Sequence, residues 1–144
     1  MKAAYDEEEA ADYADTHWLK QLIERRTRRH QFGDVSGRVL EVACGTGENF
    51  RYLPKSADLV GIDVSKPMLD RARKRADGLD RQVELEQMDA QRLSFADDSF
   101  DHVVSSLSTC TFPDPIEGLN EMGRVCKPDG QIRLLDHQEP VSGV

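Results

Sequence analysis

Cysteine is scarce in this chain: Cys44, Cys110 and Cys126 are the only three in 144 residues. Their spacing fits no metal-binding pattern, so no metal site is expected. An odd number of cysteines with no secretion signal reads as reduced thiols in the cytoplasm, not as a disulfide framework. No apolar run approaches the roughly 20 residues that span a bilayer, so no membrane span is expected. The start, "MKAAYDEEEA", lacks the apolar core of a signal peptide. Positive charge is also short, with a formal net charge of −8. A duplex-binding protein is normally basic, so no nucleic-acid partner is expected, and solubility is the ordinary reading of the acidity. His17, His30, His102 and His137 form no paired ligand motif and read as surface or strand-end residues.

What the chain does have is periodicity. Its apolar share is 38%, low but arranged in regular groups, and its length suits a single domain. Residues 7 to 29 read as a helix, with Ala10, Ala14, Trp18 and Leu22 recurring every four residues and Leu19 and Ile23 beside them. Acids fill its start and bases its end, which suits the helix dipole. The basic cluster Arg25, Arg26, Arg28 and Arg29 reads as a solvated helix end.

From Arg38 on, strands and helices alternate. "RVLEVA" reads as a buried strand, followed after "CGTG" by a short helix, "ENFRYL", that Pro54 stops. "DLVGID" is a second strand. Ser65 caps a helix over 66 to 77 with Met68, Leu69, Ala72 and Ala76 inward. "QVELEQM" and "FDHVVSSLS" are further strands. Asp114 and Glu117 open a last helix around Pro115, with Ile116, Leu119, Met122 or Gly123, and Cys126 as its buried stripe. "KPDG" is expected to end that helix, and "QIRLLDH" makes a fifth strand. This order predicts an α/β fold, a mostly parallel sheet with helices on both faces. Ligands bind such sheets at the carboxyl ends of the strands, where strand order switches.

The residues at those ends carry the chemistry. Gly45 and Gly47 allow a tight turn close to a ligand. The dinucleotide fingerprint is incomplete, because Phe50 stands where its third glycine belongs. Asp63, at the end of the second strand, is placed to accept both hydroxyls of a ribose. Glu41, inside the first strand, would repel a pyrophosphate and attract a cationic amino-acid tail. Asp89, after the third strand, can meet an adenine edge. Each acid taken singly has an ordinary role as a loop cap or solvated charge. Together they outline an adenosine joined to a positive centre, with no phosphate, and S-adenosylmethionine fits that outline.

The chain from about Val39 to His137 resembles the class I S-adenosylmethionine-dependent methyltransferases, nearest to the ubiquinone/menaquinone-biosynthesis and phospholipid N-methyltransferase type. The resemblance rests on "VLEVACGTGEN", "VGIDVSKPML", "MDAQRLSFADDSFDHVVSS" and "EMGRVCKPDGQIRLLDH" in that order. It implies a Rossmann-like doubly wound sheet over residues 37–144 preceded by a helical lid segment over 1–36. It implies that Glu41, Ala43, Gly45 and Gly47 frame the methionine part of the cofactor, that Asp63 holds the ribose, and that Val64 and Met68 flank the adenine. Asp89 and Ala90 would meet the adenine edge, and Ser105 and Leu107 would lie beneath the sulfonium. Tyr5 or Tyr13 would help close the pocket. The acceptor it implies is a small or lipid-like molecule.

Three departures stand out. Ala43 replaces the loop's first glycine, which requires its φ to stay negative. "KPDG" replaces "KPGG", with Asp129 expected in a turn. The family's C-terminal antiparallel strand pair is missing, so the chain is expected to be either a truncated form or one whose fifth strand is an edge covered by another subunit or a swapped element. No general base is assigned; His137, Asp136 and His17 are candidates, and Cys110 is a nominal nucleophile. Two rival readings are a cofactor-binding domain without catalysis and a dinucleotide-dependent oxidoreductase, the latter opposed by Glu41.

Overall fold

The computed structural model describes residues 19, 22, 23, 25–106 and 113–135. Helix α1 is described over residues 25–32. After it come β1 (Arg38–Val42), β2 (Asp58–Asp63), α2 (Lys66–Gly78), β3 (Val83–Gln87), β4 (Phe100–Ser106), α3 (Pro115–Val125) and β5 (Cys126–Leu135). The strands form one sheet in the order β3-β2-β1-β4-β5, and every pairing is parallel. Strand order therefore switches between β1 and β4, as the alternating sequence pattern predicts.

Parallel strands covered on both faces need apolar residues on both sides, and successive side chains of a strand point to opposite faces. Val39, Leu59 and Val104 enter one core with Phe32 and Val35 of the N-terminal region and Leu69, Ala72 and Ala76 of α2. Leu40, Val42, Val60, Ile62 and Val103 enter the other core with Met122 and Val125 of α3. The two helices thus lie on opposite faces. Each begins at a capped end: the Ser65 hydroxyl accepts from Met68 N, and the Asp114 carboxylate accepts from Glu117 N.

Five local expectations are corrected. "ENFRYL" does not form an α-helix but a run of turns, closed by Phe50 N to Gly47 O and Tyr52 N to Asn49 O bonds. Its carbonyls at Phe50, Leu53 and Pro54 are taken by the Arg81 guanidinium instead of by a helical ladder. Phe50, Tyr52 and Leu53 all enter one core, and these spacings do not match a single helical face.

In α3 the buried line is Gly118, Met122 and Val125, while Ile116 is 72% exposed and Leu119 is exposed as well. Glu121 and Arg124 fix that rotation. Glu121 accepts from Leu93 N, and Arg124 donates to Glu121, Asp97 and the carbonyls of Leu93 and Phe95. On α2, Met68 is exposed rather than inward. On the N-terminal segment, Leu19, Leu22 and Ile23 are exposed.

"KPDG" does not form a turn after the helix. It bulges out within β5, where Phe100 pairs with Cys126 and His102 already pairs with Gln131. Asp101 fills the opening: its carboxylate accepts from Lys127 Nζ and from Arg38 N, and a side chain at Gly130 would strike its carbonyl at 2.5 Å.

Candidate functional site

The carboxyl ends of β1, β2 and β3 surround a cavity of about 330 Å³. Ala43, Gly45, Asp63, Val64, Met68, Asp89 and Ala90 line it, joined by Ser65, Met88 and Pro113. A second cavity of about 260 Å³ adjoins it, sharing Ala43, Gly45 and Met68. That one is also lined by Arg28, Cys44, Thr46, Glu48, Asn49 and Ser106. The glycine turn after β1 therefore stands between two hollows, as a loop holding the middle of an elongated ligand would.

Asp63 closes this turn against the start of α2. One carboxylate oxygen accepts from Gly45 N and the other from Ser65 N, each at 2.9 Å. A carboxylate oxygen has two lone pairs, so each retains one for a ligand hydroxyl. Ala43 has φ +54, which overturns the expectation of a negative φ. The chain turns directly after β1, where Gly47 N bonds Cys44 O at 3.0 Å, and the left-handed residue costs about 1–2 kcal/mol when it is not glycine.

Glu41 lies deeper than its place in the sequence suggests. It is 1% exposed and lines neither cavity. Its Oε1 accepts from Asn49 Nδ2 at 2.8 Å, and the same Nδ2 reaches Ser106 Oγ at 2.7 Å. Asn49 is therefore the cavity-lining member of a pair that Glu41 orients from behind. Among the described residues, the buried Glu41 Oε2 and Asn49 Oδ1 have no hydrogen-bond partner. Burial is the main cause that raises the Glu41 carboxyl to about 7, and nearby Asp63 adds to the rise. The Asn49 hydrogen bond and the positive charges of Arg28 and Arg81 oppose it.

That shift has a sign in stability. The folded state holds the Glu41 proton more tightly than the unfolded chain, whose ordinary value is 4.5. Stability is therefore full below about pH 4.5 and falls as pH rises through about 7, by roughly 3 kcal/mol in total. Glu41→Gln should remove this slope and make the ligand-free protein more stable than the parent at pH 8. Urea midpoints at pH 5 and pH 8 measure it; equal midpoints for the two proteins at pH 8 would refute the assignment.

The remaining assignments divide by place. Gly47, with φ +80, sets the turn. Asp89 is exposed at the cavity and also accepts from Gln91 N at 2.9 Å. Ser105 is turned away, its hydroxyl donating to Val42 O at 3.0 Å, and Ser106 lines the second cavity instead. Cys44 is buried, and desolvation first, then Glu41 and Asp63, push its thiol up and out of reach as a nucleophile. Leu107, Cys110, Asp136, His137, His17, Tyr5 and Tyr13 lie outside the described residues.

Sequence reading missed Arg28 and Asn49, whereas Ser106 belongs to the run from Ser105 to Ser108 expected at the end of the fourth strand. Arg25, Arg26 and Arg29 are exposed, as a solvated helix end should be, but Arg28 is buried. It lies one helical turn before buried Phe32, and that spacing was the available signal.

Residues 39–130 match the family model described as a methyltransferase domain. A phosphatidylethanolamine N-methyltransferase of Cereibacter sphaeroides is 40% identical over 115 residues, covering 78% of this chain and 56% of the relative. A demethylmenaquinone methyltransferase of Deinococcus radiodurans is 40% identical over 110 residues, covering 74% and 46%. Among solved structures, the YcgJ protein of Bacillus subtilis superposes with a TM-score of 0.70 at 28% identity, covering 81% of this chain and 50% of that one. The chain spans about half the length of the curated relatives it matches. The family match covers most of the chain and encloses β1 to β4, α2, α3 and the glycine turn. The chain belongs to the methyltransferase-domain family, whose cofactor is S-adenosylmethionine.

Proposed function

We propose that the protein binds S-adenosylmethionine across the two cavities and transfers its methyl group to a small-molecule or lipid-like acceptor. The observation that carries this is cavity-lining Asn49, held by buried Glu41, with its Oδ1 buried and lacking a partner among the described residues. Buried acceptors left open are costly unless a donor arrives, and a ligand ammonium is such a donor. A dinucleotide pyrophosphate brings no donor to that acceptor. Asp63 would take the ribose hydroxyls through its remaining lone pairs. Val64 and Met68, exposed apolar side chains at the first cavity, would flank the adenine, with Asp89 and Ala90 at its edge.

The bound sulfonium supplies an electrophilic methyl group. The protein's part is then to hold that end fixed and dry beside the second cavity, where in-line approach of an acceptor depends on position more than on proton transfer. No side chain is assigned as a general base. The phosphatidylethanolamine and demethylmenaquinone methyltransferases among the relatives support a lipid-like acceptor. Within the described residues no helix is long and apolar enough to cross a membrane. We place the protein in the cytoplasm and propose that the edge of β5 pairs with a second copy.

Calorimetric titration tests the reading. S-adenosylmethionine or S-adenosylhomocysteine should bind in the micromolar range, while NAD should give no heat of binding. Binding of NAD alone would overturn it. Methyl release in the presence of a quinol or an ethanolamine phospholipid then tests transfer itself.

A further inference from the structure

Arg81 lies between α2 and β3, where its backbone N donates to Ala76 O at 3.1 Å in the last turns of α2. It lines neither of the two cofactor cavities. Its guanidinium instead crosses to the segment that leaves the glycine turn. Nη1 donates to Phe50 O at 2.8 Å and to Leu53 O at 2.7 Å, and Nη2 donates to Pro54 O at 2.9 Å. Among the described residues no carboxylate pairs with this guanidinium, and its buried Nε has no partner. A cation drawn out of water onto neutral carbonyls is a costly brace. What it holds shows its use.

In a helix Phe50 O would bond the N–H four residues on, but Pro54 has none. Arg81 supplies the donor, and the segment stays in turns, with Phe50 N bonded to Gly47 O at 3.1 Å. The Phe50 ring thereby rests on Gly47, so closely that a Cβ there would lie 2.5 Å from it. Gly47, at φ +80, belongs to the turn that stands between the two cavities. We propose that Arg81 is a positioning residue for the cofactor, fixing the glycine turn through the Phe50 ring and bearing with its charge on the buried Glu41 beneath that turn. This deepens the cofactor reading above and rests on it. The charges that act on Glu41 are Arg28 from α1, Arg81, and Asp63 from the end of β2, with the buried Cys44 thiol beside it. Arg81 favours the ionised carboxylate against its burial.

Two substitutions separate the fork from the charge. Arg81→Lys keeps the charge, but a single ammonium cannot span the three carbonyls. The folded variant should bind S-adenosylhomocysteine about 5- to 30-fold more weakly, the scale of coupling within one contact network. In a Phe50→Leu background the same change should cost less than about twofold, because the ring that transmits it is gone. The Lys variant should keep the parent's dependence of stability on pH. Arg81→Met loses fork and charge together. Glu41 then holds its proton to a pH above about 7, so the loss of stability it causes runs further past neutrality. The urea midpoint of Arg81→Met should therefore fall more steeply from pH 7 to pH 8 than the parent's, and adding Glu41→Gln should remove the excess. If Arg81→Met does not fold, Arg81→Gln takes its place, neutral but with amide donors left for the carbonyls. A folded Lys variant that binds as tightly as the parent would overturn the proposal. So would equal losses with and without the Phe50 ring, or the parent's pH slope in the neutral variant. If the parent protein does not bind S-adenosylhomocysteine, the cofactor reading itself fails, and the variants are not needed to see it.

Discussion

Asp63→Ala should reduce affinity for S-adenosylhomocysteine and for methylthioadenosine alike, each by about 100-fold or more. Both ligands carry the ribose, and two hydrogen bonds to a charged carboxylate are worth roughly 1.5–3 kcal/mol each. The same substitution removes the acceptor for Gly45 N and for Ser65 N, so the turn after β1 and the start of α2 lose their common brace. A drop in stability of about 1–3 kcal/mol should accompany the binding loss. Methylthioadenosine lacks the amino-acid end, so an equal effect on the two ligands ties the loss to the ribose they share. Calorimetry on the variant decides it: unchanged affinity for both would refute the ribose assignment.

Gly47→Ala should be the most damaging small change in the glycine turn. Gly47 has φ +80, and an added Cβ would lie 2.5 Å from the Phe50 ring, which is fully buried. Left-handed strain costs about 1–2 kcal/mol and overpacking a further 1–3 kcal/mol. A total of about 2–5 kcal/mol corresponds to a fall in Tm of roughly 5–15 °C for a chain of this size. Gly45→Ala supplies the control. Its φ is +55 but its Cβ would meet nothing within 4 Å, so it carries the strain alone. Equal Tm losses for the two variants would show that packing on Phe50 is not what requires Gly47.

The difference between these glycines marks a boundary in what a sequence can show. Both read alike as turn glycines. Only folding brings Phe50 back over one of them and leaves the other facing an open hollow. The failed helix at "ENFRYL" has the same origin. Local spacing favours a short helix there, yet Phe50, Tyr52 and Leu53 all reach one core, and Arg81, about thirty residues later in the chain, takes the carbonyls. A contact of that sequence separation leaves no trace in a local pattern. In α3 the apolar Ile116 and Leu119 suggested the buried stripe, but the face is set by Glu121 and Arg124 gripping the segment from Leu93 to Asp97.

The strands and their parallel order were legible in the chain. Those follow from apolar runs, caps and alternation, which act over a few residues. The strand ends visible in the chain also put Asp63, Asp89 and the glycine turn side by side, and the structure gathers Gly45, Asp63 and Asp89 around one cavity. The tertiary structure alone decided depth and partnership. It placed Glu41 behind Asn49 rather than in the cavity, turned Ser105 away in favour of Ser106, and buried Arg28 from within a cluster of solvated arginines. Burial depends on which elements meet, and in this site that choice sets the proton affinity of the acid.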